Sequence, residues 1–105
     1  MPSLRYVVLQ HSQIDVPHYD LMIELAPGSD LATWRGPHWP PEANDEFTPL
    51  PLHRRHYLQY EGPISDNRGK VLRVASGIHR ILENSPVRLV VCLDDGRRIE
   101  LPHGA

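Results

Sequence analysis

Two histidines and one aspartate lie close together near the start of the chain, between His11 and Asp20. His18 and Asp20 are separated by one residue in the segment HYDLMIEL (18–25), where apolar and polar residues alternate. In a β-strand, positions i and i+2 face the same side, with their α-carbons roughly 6–7 Å apart. An imidazole and a carboxylate at these two positions can therefore bind the same divalent cation.

His11 ends the preceding strand candidate, RYVVLQH (5–11), and six residues link it to His18. If the two strands pair as neighbours, His11 supplies a third ligand. Two histidines and one carboxylate with open coordination positions suit zinc, manganese or non-haem iron and recur in catalytic sites. The same spacing also fits a surface pair or a hydrogen-bonded cap, so both interpretations stay open on the pattern alone.

The composition is that of one folded domain, residues 1–105. Hydrophobic residues make up 40% of the 105 residues and charged residues 23%, which suffices for a single core. The net charge of −2 argues against a module held on nucleic acid by bulk positive charge, although it allows a local basic patch.

Location is predicted from what the sequence lacks. It has no apolar run of about 18 residues that could span a membrane, and MPSLRYVVLQ does not have the pattern of a signal peptide. The lone cysteine, Cys92, lies in an apolar strand pattern and cannot form an internal disulfide. We therefore expect a cytoplasmic protein with no membrane partner and Cys92 in the core.

Period-two alternation predicts a fold made of short strands. The strand candidates are 5–11, 18–25, 31–35, 70–75, 78–84, 87–94 and 97–102. Asp95-Gly96 is a hairpin-turn signal because glycine readily takes positive φ, and Gly77 is interpreted as part of another turn. Five of the eleven prolines make 36–52 the longest predicted loop. We expect an all-β, mainly antiparallel fold: a small closed or partly open β-barrel of about seven to eight strands, or a sandwich.

The order of the motifs resembles the 3′-phosphoesterase domain family of bacterial DNA ligase D. YVVLQH, a loop and HYDLMIE resemble that family's strand ending in His followed by His-Tyr-Asp-Leu-Arg-Leu-Glu, and TWR (33–35) resembles its Ser/Thr-Trp strand. His53, Tyr57 and YEG (60–62) match a later His, a Tyr four residues on, and an aromatic-Glu-Gly. GPISDNRGKVLRVASG continues the pattern, so that the resemblance covers residues 5–77.

The resemblance implies a metal-dependent phosphoesterase of DNA end repair that removes a 3′-terminal ribonucleoside and then the remaining 3′-phosphate. By this comparison His11, His18 and Asp20 hold the metal, manganese first, with zinc or cobalt as alternatives. His53 and Tyr57 then contact the scissile phosphate. The implied partners are a nucleic-acid 3′ terminus in a primer–template and a DNA ligase or polymerase of end joining.

Neighbouring residues complete the predicted site. The expected substrate-binding residues are basic: Arg35, Arg54, Arg55 and Arg68. Glu24, on the polar face of the second strand, is expected to orient a metal ligand. Tyr57 and Tyr60 also fit a barrel wall. The other histidines have no partner pattern and are expected at the surface: His38, His56, His79 and His103.

Two positions differ from the family pattern. The family has arginine where this chain has Met22 and, in the long loop, Asp45. A thioether cannot replace the planar five-donor fork of arginine. This difference supports an alternative function, in which the chain binds metal and a nucleic-acid end or a protein without turnover.

Overall fold

The computed structural model describes residues 3–64 and 68–103, and all observations below refer to them. The elements in chain order are β1 Leu4–Ser12, β2 His18–Glu24, β3 Leu31–Gly36, β4 Thr48–His53, a 3₁₀ helix Arg55–Leu58, β5 Gly62–Pro63, β6 Lys70–Asn84, β7 Arg88–Leu93 and β8 Arg98–Pro102. The predicted all-β fold is confirmed. In the described part of the chain, no helix is long and apolar enough to cross a membrane.

The strands form one antiparallel sheet in the order β4-β3-β2-β1-β6-β7-β8, and β5 pairs with β6 off this path. The sheet curls into a partly open barrel. Trp34 of β3 donates its indole N–H to the carbonyl oxygen of Pro102 in β8, at 2.6 Å, which brings the two ends of the sheet together. The expected partly open barrel of seven to eight strands is therefore confirmed.

Buried side chains cover both faces of the central strands. Side chains on the inner face form the larger core, which includes Tyr6, Val8, Leu21, Ile23, Trp34, Leu89, Val91 and Leu101. Alternate residues on the opposite face form a smaller cluster: Val7, Leu9, Met22, Leu31, Leu58 and Val71. Burying each Leu or Val contributes roughly 1.5–3 kcal/mol. Leu9 shares a face with His11, and Met22 with Asp20, so the predicted site lies beside the smaller cluster.

The predicted break before Gly77 is wrong, because β6 runs through it without interruption. Gly77 makes room for a carboxylate instead: a Cβ there would lie 2.3 Å from Oδ2 of Asp94. Asp94 accepts hydrogen bonds from the N–H of Ile78 at 3.0 Å and the hydroxyl of Tyr6 at 3.3 Å. Burial, with the charge of Asp94, raises the pKa of Tyr6 to about 12.

The predicted loop 36–52 is wrong in its last third, which belongs to β4. Pro49 and Pro51 fit this strand because β4 is at the edge of the sheet. Alternate residues of an edge strand direct their N–H groups away from the ladder, so proline loses no hydrogen bond there. The segment that follows forms the 3₁₀ helix and not an alternating barrel wall.

Four histidines were expected at the surface. For His79 this expectation is wrong, because the residue is only 5% exposed. The pairing of β6 with β1 places His79 opposite Leu4. Its Nε2 donates to the carbonyl oxygen of Glu24 at 2.8 Å. Burial lowers the pKa of His79, which keeps the ring neutral.

Candidate metal centre

The β1–β2 hairpin brings the three predicted metal ligands together. His11 pairs directly with His18, and Leu9 with Asp20, in the antiparallel register. Nδ1 of His11 lies 3.2 Å from Nε2 of His18, which lies 3.6 Å from Oδ1 of Asp20. One ligand atom from each residue lies within 4.8 Å of the other two. The trio predicted from spacing is thus one geometric group.

Backbone carbonyl groups determine which ring nitrogen of His11 and of His18 faces the other potential ligands. Nε2 of His11 lies 2.7 Å from the carbonyl oxygen of Arg68, and Nδ1 of His18 lies 3.0 Å from that of Val16. A carbonyl only accepts, so these nitrogens carry the proton of each neutral ring. The facing nitrogens, Nδ1 of His11 and Nε2 of His18, are then both lone pairs.

Two facing lone pairs at 3.2 Å repel each other unless a positive charge lies between them. A proton can fill that position only if one ring becomes charged, and burial opposes this at His18 by lowering its pKa. Asp20 adds a negative charge and is 3% exposed. Elementary electrostatics therefore makes this group attractive to a cation.

The donor set fits a divalent transition metal. Two imidazole nitrogens bound to one ion at roughly 2.0–2.1 Å are about 2.8–3.4 Å apart in octahedral or tetrahedral geometry, a range that includes the spacing seen here. Histidines that bind metal usually donate their other N–H to a carbonyl or carboxylate. Both histidines of the trio already do so.

Gly69 places the carbonyl group that holds His11. Its φ is +80°, and a Cβ there would lie 2.3 Å from the carbonyl oxygen of Ser12. Only glycine accepts this backbone conformation and this close approach without strain. The turn before β6 can therefore pack against the end of β1, with the carbonyl of Arg68 directed at His11.

The two predicted catalytic residues lie beside the trio. His53 and Tyr57 line a cavity of 160 Å³ whose lining also includes His11 and Asp20. The rings of His53 and Tyr57 are 5.8 Å apart between centroids, in a T-shaped arrangement. Nδ1 of His53 donates to the carbonyl oxygen of Pro51 at 2.9 Å, which leaves Nε2 as the nitrogen available for proton transfer.

The four predicted substrate-binding arginines lie in different surroundings. Arg35 lines the 160 Å³ cavity and pairs with Asp20, Nε to Oδ1 at 3.2 Å. Arg68 lines the same cavity, and Arg54 lines a larger neighbouring one. Arg55 instead donates to the carboxylate of Glu24 and to the carbonyl oxygen of Ser29.

Glu24 is buried and surrounded by donors. Its carboxylate accepts hydrogen bonds from the N–H of Arg5 at 2.7 Å, the N–H of Gly28 at 3.1 Å and the guanidinium of Arg55. Burial opposes ionisation of Glu24, but these bonds outweigh it and lower the pKa. In residues 3–64 and 68–103, no hydrogen bond joins Glu24 to the metal trio, so its visible role is to fix the start of β1, the β2–β3 turn and the 3₁₀ helix.

A second grouping of potential ligands was missed by sequence reasoning. Nδ1 of His38 lies 3.0 Å from Oε2 of Glu42 and 3.0 Å from Oδ2 of Asp45. The spacing His-x3-Glu-x2-Asp was available in the sequence. Its loop setting gave no strand or helix periodicity that would bring the side chains together. His38 and Glu42 are exposed, and the contacts are those of a surface ion pair.

Comparisons with known proteins add no further assignment. No family model matches the chain, and no curated protein matches it. The functional argument therefore depends on the geometry of the site.

Proposed function

We propose that the chain is a metal-dependent phosphoesterase that acts on nucleic-acid 3′ ends. His11, His18 and Asp20 would hold one divalent ion, manganese first, with zinc or cobalt as alternatives. The observation that carries the proposal is the approach of Nδ1 of His11 to Nε2 of His18, 3.2 Å apart, beside a buried carboxylate. The motif order that resembles the 3′-phosphoesterase domain of DNA ligase D supplies the reaction and the substrate.

When bound, the ion supplies positive charge next to a phosphoryl oxygen and lowers the pKa of water. His53 holds or transfers a proton at Nε2, because Nδ1 is occupied by the Pro51 carbonyl. Tyr57 donates its hydroxyl to a phosphate oxygen, and Arg35, paired with Asp20, adds a guanidinium at the same cavity. Such donors stabilise the charge that develops during phosphoryl transfer.

A second candidate function is binding without turnover. Met22 is 2% exposed and lines the 160 Å³ cavity, at the position where the family pattern has arginine. An apolar side chain there removes one phosphate donor and leaves the metal trio unchanged. In this case the chain would bind metal together with a nucleic-acid end or a protein of end joining, such as a ligase or polymerase.

A paired experiment tests both functions. Manganese binding is measured by calorimetry, and phosphate release is measured with an oligonucleotide that ends in a 3′-phosphate. We expect the wild-type chain to bind manganese and release phosphate, and H18A to lose both. His38→Ala is the matched control, because it removes a histidine that also lies beside two carboxylates but outside the cavity.

The outcomes separate the hypotheses. Manganese bound by the trio without release of phosphate supports the binding function. Absence of manganese binding in the wild-type chain, or equal loss in H38A and H18A, contradicts the proposed centre altogether.

A further inference from the structure

A larger cavity adjoins the candidate metal centre. Its volume is 570 Å³, within the range of roughly 300–1,000 Å³ that is usual for ligand sites. It shares His53, Tyr57, Ile64 and Arg68 with the 160 Å³ cavity of the metal trio. The two cavities therefore adjoin along these four shared residues, and together they make up the groove.

The wall of the larger cavity carries a cluster of rings. The ring of His56 lies 4.2 Å from that of Tyr57 at an interplanar angle of 33°, and 5.7 Å from that of Tyr60. The 3₁₀ helix and the turn after it place the three rings together. Tyr57 and Tyr60 pack against the smaller core cluster, and the hydroxyl of Tyr60 donates to the carbonyl oxygen of Pro63. Two anchored tyrosines thus support one exposed histidine ring.

The charge of this wall differs from that of the whole chain. The net charge of the protein is −2, yet in residues 3–64 and 68–103 the arginine, lysine and carboxylate side chains that line the cavity are those of Arg54 and Arg68, both basic. Among residues 3–64 and 68–103, no carboxylate pairs with the guanidinium of Arg54. A basic groove with aromatic rings is the combination that binds single-stranded nucleic acid, because the backbone follows the charge and the bases stack on the rings.

We propose that the His56–Tyr57–Tyr60 cluster binds an unpaired base within the last two nucleotides of a 3′ end, by stacking on His56. This inference rests on the proposed function, because the metal centre gives the groove its direction: the terminal phosphate lies at the trio and the base at the rings. A base inside a duplex has no free face for such a ring. The site therefore favours an unpaired base, as in a single strand, over a base inside a duplex.

The test measures binding without the metal. A 5′-labelled dinucleotide, too short to offer any other base to the rings, is titrated in EDTA by fluorescence anisotropy and compared with the same dinucleotide lacking both bases. We expect the intact dinucleotide to bind the wild-type chain at least about fivefold more tightly. His56→Ala abolishes this difference, and His56→Phe retains it, because stacking requires a ring and not a charge. His103→Ala, which removes a histidine outside the groove, serves as the control.

Each other outcome overturns the inference. Equal binding of the two dinucleotides by the wild-type chain excludes base stacking. A base preference that persists in H56A, or is lost in H103A, excludes the assigned ring. Phosphate release from the base-free dinucleotide carrying a 3′-phosphate, measured with manganese, reports on the metal centre alone, so failure of the base site and failure of the proposed function are distinguishable.

Discussion

Two buried carboxylates on the same face of β2 have opposite surroundings. Glu24 accepts three hydrogen bonds, from two backbone N–H groups and Arg55. Asp20, four residues earlier, accepts one bond from Arg35 and otherwise faces the bare nitrogen of His18. Both residues are at most 3% exposed, so burial does not distinguish them.

The difference is one of donors and acceptors. At Glu24 the protein supplies the positive partners, so the carboxylate is satisfied when the chain folds. At Asp20 the nearest groups on one side are lone pairs, and the charge is only partly balanced by a half-exposed arginine. A carboxylate surrounded by donors supports the fold, whereas one with a single donor beside two imidazoles leaves room for a ligand. The three predictions that follow test this contrast.

The largest expected effect is on metal binding at the Asp20 end. Asp20→Asn removes the charged ligand, and we expect manganese affinity to fall by more than about 100-fold. Loss of a residue that only orients a ligand typically lowers metal affinity by about 10–100-fold. The free energy of unfolding without metal should change by less than about 1 kcal/mol, because Arg35 remains partly hydrated. Calorimetry and chemical denaturation measure the two quantities. A large loss of stability with unchanged affinity would reverse the roles assigned to the two carboxylates.

Glu24→Gln is expected to do the opposite. The amide keeps the shape but directs donor hydrogens at groups that already donate, so the unfolding free energy should fall by about 2–4 kcal/mol. Denaturation midpoints measure this loss. Manganese affinity of the folded fraction should match the wild type within about twofold, since Glu24 does not contact the trio. Loss of affinity at constant stability would instead assign Glu24 the ligand-orienting role expected from the sequence.

The contrast between the two carboxylates was only half visible in the sequence. Alternation in HYDLMIEL predicts that Asp20 and Glu24 share a face, and the structure bears this out. The donors to Glu24 come from positions 19 and 31 residues away and from a turn, with no spacing rule that links them. The same limit explains why Glu24 was expected to serve the metal.

The smallest expected effect is a pH dependence of the unfolding free energy caused by His79, whose ring donates to the carbonyl oxygen of Glu24. Burial lowers the folded-state pKa of His79 from its ordinary value of 6.5, so the unfolded chain binds a proton that the folded chain does not. This stabilisation is complete above pH 6.5 and is lost as the pH falls towards the lowered value, with a slope of at most about 1.4 kcal/mol per pH unit. Metal-free denaturation at pH 7.5 and 5.5 measures it. His79→Phe should show a shallower decline, and an equal decline would mean that other groups cause it.

Close contacts between distant residues account for the fold errors of the sequence analysis. Gly77 was interpreted as a turn because glycine commonly marks one, whereas it accommodates Asp94, 17 residues later. Pro49 and Pro51 suggested a loop, and only the position of β4 at the sheet edge makes them compatible with a strand. The grouping of His11, His18 and Asp20 was predictable because its geometry depends on one short hairpin and on the two-residue period.

The two ring nitrogens of His11 make contacts in two different parts of the molecule. One nitrogen faces the trio, and the other donates to the carbonyl group of Arg68, at the far end of the segment that carries the aromatic rings. An ion that draws electrons from the imidazole makes its N–H more acidic and strengthens that bond. A cation bound by the trio would therefore strengthen the contact between the end of β1 and the carbonyl of Arg68, a residue that also lines the groove where we propose that a base binds.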